Sequence, residues 1–155
     1  MNIFILDEDP QIAAQYHCDK HVVKMILETA QLLSTCCRYY GIDYGYKSTH
    51  LNHPCSIWLR QGFQNVLWTY KLGLFLLQEY TKRYNKIHKS SEIIMNIPLD
   101  DLKKFMDDKR TDFVLAMPEE YKNENAIISY RNYYINEKAS FATWKNTDRP
   151  KWMQE

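Results

Sequence analysis

A chain of 155 residues with 45% apolar and 25% charged side chains has the size and composition of one globular domain with a continuous core. Its net charge of +1 does not suit a protein that coats DNA by being basic all over. No apolar run approaches the length that crosses a bilayer, and the first residues lack the basic region and cleavage site of an export signal.

The near-neutral total hides an asymmetry. Residues 44–91 carry seven Lys and Arg against the one acid Glu79, whereas residues 92–124 carry nine acids against five bases. A basic block beside an acidic one suits a protein with one anion-facing surface. The cysteines at 18, 36, 37 and 55 follow no secreted-scaffold spacing, so reduced thiols buried as small hydrophobes are expected. The 12 tyrosines accompany many Lys, Asn and Ile, a bias that an AT-rich genome also produces.

Residues 2–6 alternate weakly and predict a short strand or an extended arm. Asp9 as cap and Pro10 in the first turn start a helix that runs to about Tyr40, with a break near residues 17–19 and Gly41 as its stop. Residues 41–53 form a loop. From Pro54 to about Tyr84 the spacing of Ile57, Phe63, Leu67, Tyr70, Leu74 and Leu77 predicts one long helix packed on one face. Gly62 and Gly73 inside it weaken the pattern or mark the close approach of another helix. A polar stretch covers 85–97, a short helix opens at Pro98 and runs to about Asp108, and residues 117–121 turn. The last helix spans about 125–141 with Ile127, Tyr130, Tyr134 and Ala139 as core positions, and the tail from Trp144 to Trp152 is irregular. The expected fold is a single, mainly α domain of four to six helices with no repeat and no linker.

Four of the five histidines and all four cysteines fall between residues 17 and 55. On a helix, His17, His21, Lys24, Glu28 and Gln31 share one stripe, while Val22, Val23, Ile26, Ala30 and Leu33 cover the other side. The stripe is either a solvated face or a polar row lining a cleft. In the second case imidazole, ammonium and carboxylate could divide general-base, electrostatic and nucleophilic roles. In the second cluster Asn52 or His53 caps a helix that Pro54 opens, so His50 and His53 flank its positive end. Lys47 and Thr49 before it and Arg60 within it complete a plausible phosphate or carboxylate site.

Trp58 could stack on a base or fill the core. In the tail, Trp144, Lys145 and Trp152 interleave aromatics and cations, as in single-strand binding, or else pin the tail to the core. The spacing His17-x3-His21 fits two ligands on one helix face, and His50, His53 and Cys55 could add others. With no H-E-x-x-H, no C-x-x-C and no paired acidic ligands, neither a metal nor another cofactor is expected.

Residues 17–28, 49–58, 79–90, 116–122 and 130–145 together resemble a family of small proteins of tailed phages and large DNA viruses, which implies a viral protein acting in the host cytoplasm. The chain also resembles the phage pyrimidine-dimer DNA glycosylases, compact all-α proteins that begin with a short arm leading to a helix. Their Arg-Glu-x-x-Arg stretch falls on Lys20-His21-x-x-Lys24. A later pattern matches Pro118, Tyr121, Ala126, Arg131, Glu137-Lys138 and Trp144. That family's nucleophile is the amine of a small second residue exposed by methionine removal, whereas residue 2 here is Asn, which leaves Met1 in place. Its catalytic glutamate falls on His21, with Asp19 and Glu28 as displaced alternatives.

The expected function is therefore nucleic-acid or nucleotide processing, most concretely glycosylase-like hydrolysis of an N-glycosidic bond. His21, with Asp19 or Glu28, would handle the proton, and Lys24 or Lys20 would be the candidate amine. His17, Lys20, Lys47, Thr49, His50, Asn52, His53 and Arg60 would line the cationic cleft, and Trp58, Trp144 and Lys145 would hold the base. The partner would be nucleic acid or a phosphate-bearing small molecule. The alternative is a non-catalytic protein that sequesters a host signalling nucleotide, for which the same cleft needs no general base.

Overall fold

The computed structural model describes residues 2–153. Seven α-helices follow one another: α1 Pro10–Tyr16, α2 Asp19–Tyr39, α3 Pro54–Leu59, α4 Phe63–Tyr84, α5 Ser91–Met95, α6 Leu99–Phe105 and α7 Ala126–Glu137. Single turns of 3-10 helix lie at Glu119–Tyr121 and Lys151–Met153. No strand occurs among the described residues, so the alternation at residues 2–6 produces an arm. No helix among them is long and apolar enough to cross a membrane.

The start of the first helix is the one its residues dictate. The Asp9 carboxylate accepts from the Gln11 N–H, and Pro10 occupies a position whose N–H would have no helical partner. The break comes at His17 and Cys18, both with extended backbone. It separates α1 from α2, and both helices then pack on α4.

Seven helices exceed the expected four to six for two reasons. The helix expected across 54–84 is two helices, α3 and α4, split at residues 60–62. A Cβ on Gly62 would fall 2.1 Å from the Lys109 carbonyl oxygen, so the glycine admits a crossing backbone. Replacing it by alanine should cost about 1–3 kcal/mol in urea unfolding, because the obstructing atom belongs to the backbone and cannot swing aside. Gly73 marks the anticipated close approach: a Cβ there would lie 3.1 Å from Thr29 of α2 and from Ile94.

The second reason is α5, inside the stretch expected to be merely polar. It contributes the buried Ile94, with Ile97 buried just beyond it. Two smaller expectations also change. Ile57 and Ala139, expected in the core, are exposed, and α7 stops at Glu137, short of residue 141. Leu6, Ile26, Leu33, Leu59, Leu72 and Leu76 are fully buried at the centre, and Tyr130 and Tyr134 join them from α7. All four thiols are buried and free. Burial raises Cys36 and Cys55 to about 12 and Cys37 to about 11, so these three are neutral thiols at physiological pH.

Candidate active site

The stripe expected on one helix is interrupted, because His17 precedes the start of α2, and it faces inward except at the exposed Lys24 and the half-buried Gln31. His17, His21 and Glu28 are buried, whereas Val23 from the apolar set is exposed. The N-terminal arm explains the inversion, because it lies along the stripe and shields it from water. Phe4 stacks on the His21 ring with centroids 4.5 Å apart, and the Asn2 N–H donates to Glu28 Oε1 at 3.0 Å. His21 and Glu28 are seven residues apart, close to the same face and about 10 Å along the axis. The arm therefore runs opposite to α2, with residue 2 at Glu28 and residue 4 at His21.

Asn2 draws two further segments to this point. Its side-chain amide donates to the Ala116 carbonyl at 3.1 Å, and its side-chain oxygen accepts from the Cys55 thiol at 3.5 Å. Cys55 opens α3, and its N–H is capped by His53 Nδ1 at 3.0 Å. Burial lowers the His53 pKa. A second link lies a few turns along α2, where the Thr49 N–H donates to Thr35 Oγ1 at 3.1 Å. The two histidine-bearing segments thus meet around Glu28, Asn2 and the start of α3. His21, in the first turn of α2, and His17, which closes α1, stand apart from this point around Phe4.

His21 Nδ1 shares a 2.6 Å hydrogen bond with the Tyr134 hydroxyl, which also accepts the Cys18 N–H at 3.1 Å. Burial pushes the His21 pKa down to about 3, helped by His17 and by the ammonium groups of Lys138, Lys24 and Lys20. His17 Nδ1–H donates to the Ala13 carbonyl at 2.7 Å, and burial pushes its pKa down to about 4. Both rings are neutral at pH 7. His21 in that state is a weak proton acceptor at the floor of a cationic surface.

That surface holds Lys20, with its ammonium 4.6 Å from the Phe141 ring centroid, and Lys138, 4.8 Å from that of Tyr133. Lys24 is exposed on the same side of α2, one turn before Glu28.

The other anticipated residues take varied positions. Asp19 accepts from Arg83 Nη1, Thr143 Oγ1 and the Lys145 N–H, so its carboxylate ties α2 to the tail. Lys47, His50 and Asn52 are exposed on the loop before α3, where Thr49 Oγ1 and His50 Nδ1 lie 2.7 Å apart. Arg60 donates to the Leu51 carbonyl and lies over Tyr39, bracing that loop. Trp58 is a core residue whose indole N–H donates to the Asp112 carbonyl. Trp144 donates to the Tyr16 carbonyl and Lys145 reaches over Tyr84, so the tail is pinned to the body. No group of three or more His, Cys, Asp or Glu among the described residues is arranged to hold a metal ion.

The residues missed in the sequence are Phe4, Ala116, Tyr134 in its polar role, and Lys138 as part of the cationic surface. Each reaches the site from more than 100 positions away in the chain or from the arm, and no local pattern marks it.

A model of the pyrimidine dimer DNA glycosylase family matches residues 1–92. The chain belongs to this family. The match spans the arm, α1 to α4 and the first residues of α5, and so includes Asn2, Lys24, Glu28 and His53. Its function is accordingly of the DNA-glycosylase kind, exerted on DNA. The later pattern from Pro118 to Trp144 lies beyond the matched residues, and Met1 lies outside the described ones. No curated protein and no solved structure matches the chain.

For a glycosylase, the position of the carboxylate is the central question. Of His21, Asp19 and Glu28, only Glu28 adjoins residue 2. Asp19 is occupied by Arg83 and the tail, and His21 lies under Phe4.

Proposed function

We propose that this glycosylase hydrolyses the N-glycosidic bond of a damaged pyrimidine in duplex DNA, with Glu28 as its catalytic carboxylate. The observation that carries this reading is the 3.0 Å hydrogen bond from the Asn2 N–H to Glu28 Oε1. The family resemblance points to residue 2 as the place of bond cleavage, and Glu28 is the carboxylate beside it.

In the reaction, water adds to C1′ of the deoxyribose as the bond from C1′ to the base nitrogen breaks. Glu28 takes the proton of that water, its negative charge stabilises the developing oxocarbenium ion, and the departing base takes a proton from solvent. Lys20, Lys24 and Lys138 hold the phosphates on one side of this point. Lys47, Thr49, His50, Asn52 and His53 meet the backbone on the other, on a loop braced by Arg60. The half-buried rings of Tyr133 and Phe141 beside the lysines offer stacking faces to an extruded base. His17, Asp19, Trp58, Trp144 and Lys145 position these groups from behind. Such a chain would act in the host cytoplasm on viral or host DNA.

The test is a duplex oligonucleotide carrying one thymine dimer, with alkali-labile strand scission as the readout. Glu28→Gln keeps an acceptor for the Asn2 N–H, so it should fold normally and lose about 100-fold or more in single-turnover rate. Wild-type turnover by this variant removes Glu28 from the mechanism. Borohydride should trap no covalent enzyme–DNA adduct; a trapped adduct would replace water by an amine nucleophile. Free nucleotides that raise the melting temperature, with the duplex left untouched, would favour the sequestering alternative.

A further inference from the structure

The outer face of α4 carries Leu74 and Leu77, half-buried against the core, along an open groove. Leu74, Leu77, Gln78 and Thr81 follow the i, i+3, i+4, i+7 spacing of one helical face, while Leu72, Leu76, Glu79 and Arg83 turn inward. Ile87 and Met95 form the opposite wall, with Ser91 between them, and the groove between the walls has a volume of about 650 Å³. Ile87 is 83% exposed and Met95 58%, the highest exposures among the large aliphatic residues described. Clustered aliphatic exposure of this kind around a groove marks a surface that a partner covers.

The charge around the groove is mostly positive, and Lys82 lines it. Lys86 and Lys89 flank Ile87 in the chain and are exposed, against the one exposed acid Glu92, and Glu79 is buried against Arg83. Part of the basic block seen in the sequence thus adjoins an aliphatic trough. The trough holds no aromatic face for a base to stack on, and its floor is two turns of helix, about 10 Å long.

We infer that this groove docks an acidic amphipathic helix of a partner protein, with two or three aliphatic anchors between Leu74, Leu77, Ile87 and Met95 and carboxylates flanking them toward Lys82, Lys86 and Lys89. The complementarity is of two kinds: aliphatic anchors for the trough, and negative flanks for a cationic rim. The proposal does not rest on the glycosylase reading, because none of these residues belongs to the Glu28 site.

The probe is a fluorescein-labelled synthetic helix of about 15 residues, with leucines at i, i+3 and i+7 and glutamates beside them. Anisotropy titrations with the full chain should give saturable binding that weakens at least about tenfold in Ile87→Glu and falls with added salt. Met95→Glu should act in the same direction. Both substitutions are at exposed positions, so melting temperature and strand scission should stay at wild-type values.

Absence of saturable binding, equal binding of a lysine-for-glutamate version, or full binding by Ile87→Glu each overturns the proposal. So does a concentration-dependent dimer abolished by Ile87→Glu, which would make a second copy the occupant. Capture by anionic vesicles lost in the same variant would make it a membrane surface.

Discussion

Arg83→Ala is expected to destabilise the fold by about 3–5 kcal/mol, enough to unfold a domain of ordinary stability under mild denaturant. The guanidinium is 1% exposed and every arm of it is used. Nε and Nη2 donate to Glu79 Oε1 at 3.2 and 3.0 Å. Nη1 donates to the His17 carbonyl at 2.7 Å and to Asp19 Oδ1 at 3.1 Å, and Nη2 also donates to the Gln15 carbonyl at 3.0 Å. Gln15 and His17 lie at the end of α1 and Asp19 opens α2, so one side chain from α4 closes the break between these helices. Truncation leaves the buried Glu79 carboxylate and the buried His17 carbonyl without their donor, and that loss sets the magnitude. Arg83→Lys should lose most of the same free energy, because a single ammonium cannot spread over four acceptors as the planar fork does. Urea unfolding measures both. In Arg83→Ala/Glu79→Ala the loss should be smaller than the sum of the single losses, since the second change removes the stranded carboxylate. A loss below about 1 kcal/mol in Arg83→Ala would show that the cluster contributes little.

Arg83 also shows where the sequence is silent. Its place at the C-terminal end of α4 is sufficiently explained by the helix dipole, and nothing local shows that it points inward. Short-range chemistry was legible: Asp9 and Pro10 start α1, and His53 and Pro54 start α3, as their residue types dictate. The break at Gly62 was legible only as a weakness, because what demands it is the Lys109 backbone more than forty positions away. Helix α5 hides in a polar stretch because it contributes Ile94 to the core and little else, too faint a signal for periodicity to register. At the site, spacing placed His17, His21 and Glu28 on one face. It could not say that an N-terminal arm covers that face, which turns a surface stripe into a buried row. Glu28 stands out among the three candidate carboxylate positions only when Asn2 is seen beside it.

The buried histidine row makes the protein acid-sensitive in a defined window. His17 and His21 titrate at about 4 and about 3 in the fold, against an ordinary value of 6.5. Below that ordinary value the unfolded chain takes up a proton on each ring and the folded chain does not. The unfolded state therefore binds more protons, and stability falls as the pH falls. Each ring contributes about 1.4 kcal/mol per pH unit in this window, so the two together remove about 4 kcal/mol between neutrality and pH 5. Above the ordinary value both rings are neutral in either state, and their contribution is complete. Unfolding in urea at a series of pH values from about 7.5 to 5 should show this slope. His21→Phe should reduce it, whatever it does to stability at neutral pH through the loss of the Tyr134 partner. His17→Gln should reduce it by a similar amount, and His53 and His88, whose pKa burial also lowers, carry a remainder of the same sign. A slope equal to wild type in both variants would mean that the rings are protonated in the fold, and the arm would then be covering charge rather than neutral imidazole.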